Sequence, residues 1–190
     1  ESHPGIPLVN HLSEVAKNCL KIANENTTDF GFDWKIKTDL LFICGFYHDL
    51  GKATSYFQNY LYNPDKLHNS LKNHALPSAV FVFYVTQQYF KEKNIDANKS
   101  FLLSAICFIV VRRHHGNLGN FSNELGIDNF KEDLERQFNS IDKEAIQEII
   151  QIGNEKLEIS VNWSDFVNWF ENDGYSKQTR FELIAFYNLN

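Results

Sequence analysis

No methionine occurs anywhere in the 190 residues. Residue 1 is therefore not a translational start, and a trimmed upstream segment is expected. No run approaches the roughly 20 apolar residues that a membrane-spanning helix needs. The longest, Phe101 to Val111, is too short. The chain also opens without the charged-then-apolar pattern of a signal segment. The expected location is the cytoplasm, with no membrane partner. Cysteine is scarce, at Cys19, Cys44 and Cys107 only. An odd, widely spaced set makes neither a disulfide framework nor a CxxC pair. All three lie in apolar helical patterns and read as buried free thiols. No GxxxxGK[ST] phosphate loop exists. Gly45 to Lys52 imitates one, but five residues separate its glycines rather than four, and Ala53 replaces Ser or Thr.

Phenylalanine, by contrast, is abundant, with 17 copies. The length suits one compact domain. The net charge of −6 argues against a general nucleic-acid coating protein, but the charge is uneven. Residues 1–48 carry −2, residues 49–115 carry +4 and residues 116–190 carry −8. The locally basic middle third, which also holds most of the histidines, suits a polyanionic substrate at one place on an acidic body.

The apolar periodicity is helical almost throughout and predicts an all-α bundle. After Pro7, the residues Leu8, Leu12, Val15, Cys19 and Ile22 form a stripe at spacings of three and four. A second helix is predicted from Trp34 to Leu50, with Asp33 as N-cap and Gly51 as stop. Further helices are predicted over 54–62, 77–90 and 99–113. Val80 to Val85 is β-branched and aromatic, yet it continues through Gln87-Gln88 without a turn and reads as helix. Residues 116–129, rich in Gly and Asn, read as an exposed loop. Helices are then expected near 130–138, 143–152, 163–171 and 176–189.

Of seven histidines, His11 lies on the apolar stripe of the first helix, between Leu8 and Val15. His48 follows Leu41 and Cys44 on an inward face. A buried imidazole needs a hydrogen-bond partner or a metal. The strongest local signal is His48-Asp49-Leu50-Gly51-Lys52. Imidazole and carboxylate both suit divalent ions, and the carboxylate can bridge two. Gly51 is expected to let the chain turn, and Lys52 to stand beside a phosphate held by the metal. A helix end carrying a dipole-compensating His and a surface Lys is the plainer alternative. His114-His115 follows the basic pair Arg112-Arg113, and Gly116 permits the unwinding that would aim both rings at one ion. His74 stands at a helix entrance before Pro77-Ser78. His3 and His68 suggest no role. Together five imidazoles and one aspartate suffice for two ions about 3.5–4 Å apart, an arrangement suited to phosphodiester hydrolysis.

The order His, His-Asp, His, His-His resembles that of the HD-domain phosphohydrolases. More closely, it is similar to the HD nuclease of type I CRISPR systems, which is fused to or paired with a helicase. Leu8-Val9-Asn10-His11-Leu12 with Val15-Ala16 resembles the first motif of that family. His48-Asp49-Leu50-Gly51-Lys52 resembles the second, His74 with Ser78-Ala79 the third, and His114-His115-Gly116 the fourth. The resemblance spans about residues 8–116 and implies a single-domain HD-type helical bundle with a dinuclear metal site between helices. It implies that His11, His48 and Asp49 hold one ion, and that Asp49 bridges to a second held by His74, His114 and His115. Lys52, Arg112 and Arg113 become the expected substrate contacts, with Asp49 and Lys52 catalytic. The cofactors implied are two divalent ions drawn from Mg, Mn, Co, Ni or Fe. The implied activity is cleavage of single-stranded DNA, and the implied partners are a helicase and an RNA-guided surveillance complex.

The family completes its first site with an aspartate on a late helix. Here the late helix Arg180-Phe181-Glu182-Leu183-Ile184-Ala185-Phe186 lacks it, and Asp165 and Asp173 do not match that context. The ligand is therefore expected beyond residue 190. Two other readings stand beside the nuclease. One is an HD phosphohydrolase acting on nucleotides or cyclic dinucleotides, and the other is an inactive scaffold that binds a partner.

Overall fold

The computed structural model describes residues 1–26, 33–66 and 70–179. The described residues form helices and turns without a strand. The helices are α1 (Leu8–Glu25), α2 (Trp34–Tyr47), α3 (Ser55–Tyr62), α4 (Ala75–Glu92), α5 (Ala97–Arg112), α6 (Phe121–Glu124), α7 (Lys131–Asn139), α8 (Lys143–Leu157) and α9 (Trp163–Glu171). A short 3₁₀ turn, Leu50–Ala53, joins α2 to α3.

The centre of the bundle is α4. Residues 77–86 are buried without interruption. A helix enclosed on every side needs apolar residues on every side. That is why Val80 to Val85 looks like a strand in sequence and still folds as helix. One apolar cluster runs from Leu8 to Tyr175 and takes in residues of α7, α8 and α9. Around Phe166, the rings of Phe81, Phe138 and Trp163 each lie at 4.9 Å between centroids. The abundant phenylalanine thus serves to pack the far half of the bundle against α4.

Several boundaries differ from the sequence expectation. Asp33 caps α2 as predicted, accepting from the Lys35 amide at 2.7 Å. The helix nevertheless stops at Tyr47, and Asp49 leaves helical geometry with φ −113° and ψ 14°. On α1 the buried face is Leu8, Leu12, Ala16 and Ala23, while Ile22 is exposed. The reason is the contact with α2. A Cβ on Gly45 would meet Cys19 Sγ at 2.9 Å and Ala16 Cα at 3.1 Å, so the small Ala16 sets the line along which the helices meet. The segment 116–129 is not uniformly an exposed loop. It contains α6, and Glu124, Leu125 and Ile127 are buried. Helix α8 runs to Leu157, five residues past its predicted end. The predicted final helix lies mostly outside the described residues, which end within a helical segment at 174–179. The cysteines are free, with Cys107 buried and the other two half-buried.

Among the described residues, three buried side-chain atoms have no hydrogen-bond partner, and one of them lies in the apolar core. Tyr47 Oη is enclosed, makes no hydrogen bond, and lies so close to Gly153 that a Cβ there would collide with it. Burial pushes its phenol well above the ordinary range. A buried hydroxyl without a partner costs desolvation energy and returns nothing. Tyr47→Phe should therefore raise the unfolding free energy by about 1 kcal/mol, read from urea denaturation. A clear loss of stability would show that the hydroxyl is bonded.

Candidate metal centre

The ends of three helices and the first turn of a fourth converge on one carboxylate. Asp49 follows α2, His74 precedes α4, His114 and His115 follow α5, and His11 projects from α1. Asp49 is almost completely buried, with its side chain 3% exposed. Its Oδ2 lies 3.0 Å from His11 Nε2, 3.2 Å from His48 Nε2 and 2.7 Å from Lys52 Nζ. Its Oδ1 lies 3.0 Å from His74 Nε2 and 3.2 Å from His114 Nε2. His115 joins through His74, with the two Nε2 atoms 3.0 Å apart. Two donor groups result, His11-His48-Asp49 and Asp49-His74-His114-His115, and Asp49 belongs to both.

The local chain explains this convergence. Helix α5 ends at Arg112, and the turn closed by Gly116 N–H on Arg113 O at 2.8 Å carries both following histidines. Their rings stand 3.9 Å apart, so consecutive residues do reach the same place. Ser78 accepts from the Gly51 amide at 2.8 Å and donates to the His74 carbonyl at 2.7 Å. This fully buried hydroxyl fastens the Asp49–Lys52 turn to the start of α4. Sequence reasoning assigned it no role, although it stands four residues after His74 in the quoted third motif. The role of Gly51 also needs correcting. It has no left-handed backbone angle. A Cβ there would instead strike the His74 carbonyl oxygen and come within 2.8 Å of Pro77 Cγ. The glycine is needed for close approach rather than for turning.

The donor set fits a divalent metal. His48 Nδ1 donates to Gly45 O at 2.9 Å and His114 Nδ1 to Val111 O at 2.6 Å. A carbonyl can only accept, so Nδ1 carries a proton, and in the neutral ring Nε2 presents its lone pair toward Asp49. Asp49 Oδ1 and His114 Nε2 are buried yet form no well-directed hydrogen bond, despite their 3.2 Å approach. Polar atoms that converge without bonding each other are what a shared cation would satisfy.

The electrostatics agree. Burial would raise the Asp49 carboxyl, but the imidazoles of His114, His48 and His74 override it and hold the group far below the carboxylate range. Burial lowers His11, His74 and His115, which favours the neutral, ligating form. For His114 burial acts downward too, but Asp49 and the Val111 carbonyl win and raise it. His114 therefore keeps its proton to higher pH and must release it to a metal. Proton release on metal binding should be largest below the raised His114 pKa and should fade as the pH rises through it. Calorimetry in buffers of different ionisation heat checks this. Heats independent of buffer at mildly acidic pH would contradict it.

The remaining expected site residues fall as follows. Lys52 is buried and paired with Asp49. Arg113 forms a two-pronged pair with Glu124 at 2.7 and 2.6 Å, and Arg112 donates to the carbonyls of Glu124 and Gly126. Both arginines thus tie the 116–126 segment to the end of α5, and only Arg113 keeps a substantially exposed edge. Besides these residues, Phe57 is buried edge-on against His74 at 5.0 Å and forms a wall of the site. His3 stands edge-on to His11 at 5.6 Å, so it borders the cluster. His68 lies outside the described residues, as does the late segment 180–190. A cleft of about 310 Å³ adjoins the cluster at His74 and His115. A larger one of about 720 Å³, around Trp163 and Val167, contains none of the ligands.

A family profile described as the HD domain matches residues 8–160. The chain belongs to the HD-domain family. The match passes beyond Gly116, where the motifs end, and takes in α6, α7 and α8. No curated protein and no solved structure gave a match. Members of the HD family are metal-dependent phosphohydrolases, and this HD domain has a His/Asp cluster that can hold metal. Among the described residues, no helix is long and apolar enough to cross a membrane.

Proposed function

We propose that this HD domain is a metal-dependent nuclease that hydrolyses phosphodiester bonds of single-stranded DNA in CRISPR interference. Its helicase would be a separate polypeptide or domain, and an RNA-guided surveillance complex would deliver the DNA. One observation carries the phosphodiesterase reading, namely the two donor groups that share the buried carboxylate of Asp49. The motif order and the basic middle third of the chain support the choice of DNA.

His11, His48 and Asp49 would hold one ion, and Asp49, His74, His114 and His115 a second. Bound divalent ions supply an activated water and offset phosphate charge. The chain's own residues do the rest. Backbone carbonyls lock the His48 and His114 rings, so the donors are ordered before substrate arrives. Lys52 places its Nζ 2.7 Å from Asp49 Oδ2, where it would counter the charge of a phosphate brought to that carboxylate.

A second reading, hydrolysis of nucleotides or cyclic dinucleotides, is favoured by the compact cleft beside His74 and His115. The deciding assay reconstitutes the protein with Mg²⁺, Mn²⁺, Co²⁺, Ni²⁺ or Fe²⁺. It then offers labelled single-stranded DNA, a cyclic dinucleotide and bis(p-nitrophenyl) phosphate. Cleaved DNA supports the nuclease. Intact DNA with every metal, alongside turnover of the small esters, overturns it in favour of the second reading. No turnover of any of them overturns both.

A further inference from the structure

The cleft that opens on His74 and His115 has features that phosphate chemistry does not need. Its volume, about 310 Å³, is at the lower end of small-molecule sites. One side carries Phe130, a large aromatic residue left 42% exposed. The Arg112 guanidinium lies 5.9 Å from its ring centre. Gln137 of α7, with only 4% of its surface exposed, also lines the cleft. Gln137 Nε2 donates to the carbonyls of Leu71 and Asn73 at 2.8 and 2.7 Å. Two carbonyls can only accept, so the amide orientation is fixed and Oε1 is left as an acceptor. No donor reaches that oxygen among the described residues. The cleft thus combines an exposed aromatic face, a preset amide acceptor and a guanidinium, beside two imidazoles of the metal centre.

We propose that this cleft is a nucleobase subsite. The base would stack on Phe130 and donate an amino or imino N–H to Gln137 Oε1, while its phosphate lies toward His74 and His115. The proposal rests on the reading of the His/Asp cluster as the place that receives phosphate. It goes beyond that reading in requiring that the base itself be recognised. Stacking on an aromatic face tolerates different bases, because every base has a π-face. The Gln137 acceptor adds a demand for an N–H on the base edge, which all natural bases meet.

The test is binding, so it does not depend on turnover. Ni²⁺-loaded protein is titrated with deoxyadenosine 5′-monophosphate and, separately, with deoxyribose 5-phosphate. The nucleotide is expected to bind about tenfold more tightly than the sugar phosphate. Phe130→Ala should remove that difference, and Phe130→Trp should keep it. Circular dichroism confirms that each variant is folded. A base that adds nothing to affinity in the parent protein overturns the subsite, and so does a tenfold preference that survives Phe130→Ala. Failure of the nuclease reading shows separately, as single-stranded DNA left intact while the base preference persists.

Discussion

Asp49→Ala should abolish metal binding and hydrolysis together. Among the described residues, Asp49 alone belongs to both donor groups, and both its oxygens face imidazole nitrogens. Losing a second-layer partner of a metal ligand costs about 10–100-fold. Removing a ligand common to both groups should cost about a thousandfold or more in hydrolysis. Metal content per chain, measured after gel filtration by atomic emission, should fall close to zero. The variant also strips Lys52 of its carboxylate while leaving it buried. An uncompensated buried charge is destabilising, so a lower thermal midpoint is expected as well. Asp49→Asn separates the two effects, because it keeps the shape and a hydrogen-bonding oxygen but loses the charge. It should lose metal and activity with a smaller change in stability. An Asp49→Ala protein that retained its metal or a tenth of its activity would sink the assignment.

Gly51→Ala should damage the site out of proportion to the single methyl group that it adds. The new Cβ would meet the His74 carbonyl oxygen and Pro77 Cγ, and neither is the end of a flexible side chain. The turn that bears Lys52 and the start of α4 would have to separate. Overpacking of this kind costs about 1–3 kcal/mol. For a chain of this size that lowers the thermal midpoint by roughly 3–10 °C. The loss of function should be larger than the loss of stability suggests. His74 and Asp49 sit on the two sides of the contact, and a displacement of about 1 Å at a reacting centre costs roughly a hundredfold. Gly116→Ala is the control, since a Cβ there meets nothing within 4 Å. It should change stability by no more than about 0.5 kcal/mol. Equal effects of the two substitutions would refute the close-approach role of Gly51.

Much of the site could be read from residue types because metal chemistry restricts them. Imidazole and carboxylate at helix ends, interrupted by Gly51, point to ligands before any contact is known. The residues that hold those ligands in place are less specific. Ser78 is an ordinary serine in sequence, and its hydroxyl matters only because α4 starts beside the Asp49 turn. Glu124 reads as one more acid in an acidic region. Only the folded chain makes it the near-buried partner of Arg113, which holds that carboxyl below the ordinary range. Arg112 and Arg113 have a role that their place beside the histidines does not announce, because both also tie the α6 segment to the end of α5.

The sequence by itself determined the all-helical class, through 3.6-residue periodicity, and nominated the imidazoles and the carboxylate through their chemistry. It also determined the Asp33 cap, which needs only a local hydrogen bond. Tertiary structure alone decided which face of α1 is buried, because that depends on Ala16 meeting Gly45 on another helix. It likewise decided that Gly51 serves close packing and that both oxygens of Asp49 face imidazoles from four different helical segments. Local interactions act over a few residues and are written in the spacing of the chain. Convergence of residues 11, 49, 74 and 114 depends on how whole helices pack, and no local pattern encodes that.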